Sequence, residues 1–167
     1  MQSNSFDFLA ILRALAKHEV EFIIVGGVSA VLQGAPVSTF DIDLVHLRDP
    51  ENIHRLLAAL GELDATFRGM GDRVLRPDPA HLSSSGHQLL MTRHGPLDLL
   101  GTIGTARGYE ELLPHTMEIR IAEFTLRILD LETIIEIKEE LGHDKDRASI
   151  PVLRRTLEEI SRKSKGE

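Results

Sequence analysis

The sequence predicts an α+β fold, a mixed β-sheet flanked by helices and closed by C-terminal helices. Three observations carry this. Apolar periodicity runs helix, strand, helix, strand, helix, then several strands, then helices, an order that suits a mixed sheet. The 167 residues are 42% apolar but only 4% aromatic, so a core is affordable and must consist of Leu, Ile, Val and Ala. No internal repeat or low-complexity tract breaks the pattern. Residues 1–167 are read as a single domain, with a core over about 20–130 and a helical part over about 131–163.

The elements follow in order. Phe8, Leu9, Ile11, Leu12 and Leu15 have helical spacing, which predicts a helix from Phe6 to Lys17 with Asn4 or Ser5 as its cap. Val20 to Val25 is a buried strand closed by Gly26-Gly27, and Val28 to Gln33 is a short helix stopped by Gly34 and Pro36. Asp41 to Leu47 is a second strand. Pro50 opens a helix through Leu63, with Ile53, Leu56, Leu57 and Leu60 on its apolar face. Thr66 to Ser85 is expected to be loop with a short strand at Arg73 to Leu75. Gln88 to Thr92 and Leu97 to Leu100 form two strands joined at His94-Gly95-Pro96. A helical turn at Tyr109 to Leu113 precedes a hairpin of Glu118 to Ala122 and Phe124 to Leu129. Helices at Leu131 to Leu141 and Ala148 to Ser161 end the pattern, Pro151 being tolerated in a first turn.

Composition narrows function. The net charge of −7 argues against a broad grip on nucleic acid. Without cysteine there are no disulfides, thiolate nucleophiles or Cys-based zinc sites. The start lacks a basic segment leading into an apolar run, and no stretch is long and apolar enough to span a bilayer; a cytoplasmic protein without membrane contact is expected. His46, His81, His87 and His94 lack metalloprotease spacing, and Ser83-Ser84-Ser85 lacks a nucleophile-elbow context. His143 to Arg147 is expected to be a charged turn between helices.

The chemistry concentrates in two places. Gly26-Gly27 ends a strand and opens a helix, so backbone N–H groups can approach an anion closely, with the Ser29 hydroxyl beside them. This is neither a Walker loop nor a dinucleotide fingerprint. Asp41 and Asp43 are two apart on a strand and share a face. Adjacent carboxylates repel unless a cation lies between them, and hard divalent ions such as Mg²⁺ take such oxygens together with substrate phosphates. Asp98 interrupts the apolar run Leu97 to Leu100 and supplies a third acid if its strand lies beside that of Asp43.

Together these residues resemble the minimal nucleotidyltransferase superfamily with the DNA polymerase β-like fold, in particular bacterial stand-alone members that include toxins of the abortive-infection type. The shared pattern is a Gly-Gly turn, a short helix, an Asp-x-Asp strand and a later third Asp. Gly34, Thr39, Asp41 and Asp43 match a longer motif, and Leu131 to Lys138 followed by Lys145-Asp146 matches a downstream helix. The likeness spans about residues 20 to 160. One position departs from it: Val37 stands where an Arg is usual, which leaves Arg48 or Arg93 as substitutes.

The resemblance implies Mg²⁺- or Mn²⁺-dependent transfer of an NMP group from an NTP to a hydroxyl-bearing acceptor: RNA, tRNA, a protein or a small molecule. Asp41, Asp43 and Asp98 would be the catalytic and metal-binding acids. Gly26, Gly27, Ser29, Thr39, Lys138 and Lys145 would bind the nucleotide. An antitoxin or a second copy would be the protein partner. The alternative is a catalytically degenerate nucleotide-binding or protein-interaction module of the same fold.

Overall fold

The computed structural model describes residues 6–166. Helix α1 (Phe8–Lys17) buries Ile11, Leu12 and Leu15 completely, and the Asp7 carboxylate caps it by accepting the Ala10 N–H at 3.1 Å. The expected caps Asn4 and Ser5 lie outside the described residues; with Asp7 in that role the helix starts two residues later than predicted. Strand β1 (Phe22–Val25) is buried at every residue, as a strand covered on both faces must be. Helix α2 (Gly26–Leu32) opens at Gly26 itself, ahead of the Val28 start, because glycines add no apolar side chain to the period.

Strand β2 (Ile42–His46) leads to α3 (Pro50–Glu62), capped by Asp49 on the Asn52 N–H at 2.7 Å with Pro50 in the first turn. The irregular stretch that follows corrects the expectation. No strand forms at Arg73 to Leu75; that segment offers the Leu75 carbonyl to the Phe67 N–H at 2.9 Å, beside a two-residue strand β3 (Thr66–Phe67). Helix α4 (Pro79–Ser83) replaces part of the expected loop, started by a reciprocal cap between Asp78 and His81.

Strands β4 (His87–Thr92) and β5 (Gly95–Leu100) form a hairpin. Helix α5 (Tyr109–Leu112) and a 3-10 turn (Leu113–His115) precede the hairpin of β6 (Thr116–Ile121) and β7 (Phe124–Leu129). Helix α6 (Leu131–Leu141) is capped by Asp130 and ends at Gly142, whose φ of 62° suits glycine. The expected charged turn is a short helix, α7 (Asp144–Arg147), and α8 (Ile150–Ser164) follows.

The seven strands form one mixed sheet in the order β3-β4-β5-β2-β1-β7-β6, parallel at β2–β5 and β1–β7 and antiparallel elsewhere. Strand parity divides the core. Ile24, Ile42, Leu44, Leu97 and Leu99 face α1 and α3, whereas Ile23, Val25, Val45, Leu100 and Leu129 face the side covered by α6 and α8. Asn52, fully buried, ties α3 to the strand ends: it accepts the Glu21 N–H at 2.7 Å and donates to the carbonyls of Glu21 and Leu47 at 3.0 and 2.7 Å.

Candidate active site

The parallel pairing of β2 and β5 sets the site. Its register places Asp43 directly opposite Asp98, and residues paired in this way project from the same face. Asp41 sits one residue before β2 and keeps the parity of Asp43. One oxygen from each of Asp41, Asp43 and Asp98 lies within 4.8 Å of the others. All three belong to the face that carries α2 and α6, while Ile42 and Leu44 pack into the opposite core.

Crowding shapes their titration. Burial, then the charges of Asp41 and Asp98, push the Asp43 carboxyl up to about 7, with Arg68 opposing the rise. Burial, then the neighbouring Asp98 carboxyl, raises Asp41 as well. Crowding of this kind is relieved by a proton on Asp43 or by a cation among the three acids. Arg68 Nη2 lies 2.7 Å from Asp98 Oδ1, but off the line of a hydrogen bond, so this buried oxygen has no hydrogen-bond partner. The guanidinium is anchored by Nη1 donating to the Leu90 carbonyl at 2.6 Å. Three carboxylates, each offering an oxygen to one point, fit a hard divalent ion.

Two cavities meet at these acids. The first, about 660 Å³, is lined by Gly26, Gly27, Ser38, Thr39, Asp41 and Arg68, and reaches Lys138 and Lys145. The second, about 330 Å³, contains Asp43 and Asp98 and shares Gly26, Lys138, Lys145 and Asp146 with the first. Gly26 has φ +68°, and a Cβ there would fall 2.6 Å from Asp43 Oδ2. A Cβ at Gly27 would fall 3.0 Å from the Thr39 side chain, whose hydroxyl donates to the Asp41 carbonyl at 3.0 Å. Both glycines therefore let α2 start against the acidic strand.

The remaining expected residues divide. Lys145 is exposed and borders both cavities. Lys138 also borders both, but its Nζ donates to Asp146 Oδ1 at 2.8 Å. Ser29 is fully buried and lines neither cavity, and its hydroxyl donates to the Leu129 carbonyl at 2.7 Å. Gln33 Nε2 donates to the same carbonyl at 2.9 Å, and Gln33 Oε1 accepts the Leu131 N–H at 3.0 Å, so α2 is pinned to β7 and α6.

Replacement of Ser29 by Ala is expected to lower stability by about 1 kcal/mol. Nucleotide affinity per folded molecule should stay within about threefold, since Ser29 then acts through the position of α2. Thermal melts and calorimetric titration check both; a tenfold affinity loss at unchanged stability would return the hydroxyl to direct contact.

Val37, where the resemblance leads one to expect an arginine, packs on apolar neighbours along the first cavity. The expected substitutes lie elsewhere. Arg48 donates to the Ser83 carbonyl at 3.3 Å, and Arg93 lines a separate cavity with Lys17 and Glu62, beside α1 and α3. Arg68 is the arginine at the acids, and sequence reasoning missed it. It follows a two-residue strand in the irregular stretch, where no periodicity or motif marks it.

No protein-family model matches the sequence, and no curated protein matches it. Solved structures do. TM1012 from Thermotoga maritima, a candidate nucleotidyltransferase, is 19% identical with a TM-score of 0.56, over 91% of this chain and 93% of its own. The antibiotic-resistance factor ANT(2'')-Ia is 18% identical with a TM-score of 0.58, over 90% of this chain and 82% of its own. The lincosamide antibiotic adenylyltransferase LnuA is 14% identical with a TM-score of 0.56, over 91% of this chain and 98% of its own. The chain has the nucleotidyltransferase fold.

Proposed function

We propose that the protein is a nucleotidyltransferase that moves an NMP group from an NTP to a hydroxyl of a small-molecule acceptor. The observation that carries this is the cluster of Asp41, Asp43 and Asp98 where two cavities meet. The fold supports it, as do the acceptors of its structural neighbours: one structure of ANT(2'')-Ia holds adenylyl-2''-tobramycin and that of LnuA holds lincomycin.

Asp41, Asp43 and Asp98 would hold Mg²⁺ or Mn²⁺. When bound, the ion neutralises charge on the triphosphate and aligns it with the acceptor. Gly26 and Gly27 bring backbone close to the phosphates, with Thr39 fixing the facing loop. Lys145 offers charge to the departing pyrophosphate, and Lys138, paired with Asp146, holds α7 and that lysine beside the cavity. The acceptor oxygen forms its bond to the α-phosphorus as the bond to the β-phosphate oxygen breaks. Its proton passes to the Asp98 carboxylate. Arg68, beside Asp98, stabilises negative charge on the transferred group.

Calorimetric titration of ATP, GTP, CTP and UTP with Mg²⁺ tests the donor site without knowledge of the acceptor. The wild type is expected to bind at least one nucleotide only with the metal, and an Asp41→Asn/Asp43→Asn variant to lose that binding. Absence of metal-dependent binding in the folded wild type would overturn the proposal in favour of a degenerate module.

A further inference from the structure

The two cavities differ in chemistry, and the difference bears on the acceptor. In a displacement at phosphorus the entering and leaving oxygens lie roughly in line, on opposite sides of the transferred group. Gly27 and Thr39 line the first cavity and not the second, which puts the pyrophosphate end there. Asp98 lines the second and not the first, so the entering hydroxyl comes from the second cavity.

One wall of that cavity is apolar, built from Leu100, Ile103, Leu129, Ile134 and Ile137. Its charges are also limited. Asp43 and Asp98 belong to the metal-binding set, and Asp146 is already paired with Lys138. The other polar side chains on its lining are Lys145, shared with the first cavity, His87 and His143. Among the described residues a polycationic acceptor finds no carboxylate of its own there, and a volume of about 330 Å³ is at the small end for ligand pockets.

We infer that the acceptor is a compact hydroxyl compound with an apolar body, uncharged or anionic, seated in this second cavity with its hydroxyl at Asp98. The inference rests on the nucleotidyltransferase reading and narrows its substrate class.

Methyl NMR on the full chain with Ca²⁺ and ATP tests it, using two probes. Hexyl β-D-glucoside is a neutral hydroxylated ring with an apolar tail; 2-deoxystreptamine is a cationic aminocyclitol. The glucoside is expected to shift the Ile103 and Ile137 methyls, and 2-deoxystreptamine to leave them unmoved. A Leu89→Gln/Leu141→Gln variant should bind the glucoside about tenfold more weakly. Both leucines line the cavity and are 44% exposed, so the variant keeps its fold. The inference is overturned if 2-deoxystreptamine shifts those methyls, if the glucoside does not, or if ATP alone occupies the cavity and shifts them. A shift of the Gly27 amide with ATP and Ca²⁺ keeps those failures separate from the nucleotidyltransferase reading. Loss of that amide shift overturns both.

Discussion

Replacing Asp43 with Asn should abolish NMP transfer while making the metal-free protein more stable at pH 8. The two effects share one cause. Asp43 is held at about 7 by burial and by the charges of Asp41 and Asp98. In the unfolded chain the same carboxyl titrates near the ordinary value of about 4. Between these limits the unfolded state loses its proton first, so rising pH favours unfolding, and the penalty is full above about 7.

An amide carries no such penalty. The variant should match the wild type below about pH 4 and exceed it at pH 8 without metal by up to about 4 kcal/mol, several degrees or more in Tm. In the proposed reaction the carboxylate is a metal ligand, and transfer should fall on the order of 10³-fold. Melts in EDTA across pH 4–8, with pyrophosphate release measured in Mg²⁺, check the pair. Lower stability of the variant at pH 8 would show that the acids do not strain the fold.

Gly26→Ala should damage the same centre from the other side. The new methyl would fall 2.6 Å from Asp43 Oδ2, and the φ of +68° costs any side chain roughly 1–2 kcal/mol. Either α2 or the Asp43 carboxylate must shift. A displacement of this kind is expected to cost about 10²-fold in transfer, beyond its effect on stability. Gly34→Ala is the control. Its φ of +99° also strains a side chain, yet nothing lies within 4 Å of the added carbon. That variant should lose stability and keep its activity per folded molecule. Equal activity losses in both would trace the effect to backbone strain rather than to the acids.

Much of this site is legible in the sequence because strands make parity visible. Asp41 and Asp43 share a face by spacing, and an acid within Leu97 to Leu100 needs a partner to be tolerated there. The pairing of Asp43 with Asp98 completes that logic. The misses have physical reasons. Arg68 reaches the acids through the pairing of β3 with β4, in which two residues offer no period to detect. The orientation of Ser29 depends on helical phase, and the seven residues of α2 fix that phase poorly when two are glycines. The salt bridge from Lys138 to Asp146 requires α7 to fold back on α6, which local spacing does not specify. Helix α4 was marked after all, since Asp78-Pro79 is a cap followed by a favoured first residue.

The parallel β2–β5 pairing also has a kinetic consequence. A parallel pair cannot close through a tight turn, and here α3, β3, α4 and β4 intervene between the two strands. Asp43 and Asp98 therefore come together only after the central sheet has condensed. Before that step the chain offers a cation at most the Asp41–Asp43 half of the site. A divalent ion bound as proposed would then have little hold on the folding nucleus and would act mainly on the finished protein, by slowing its opening.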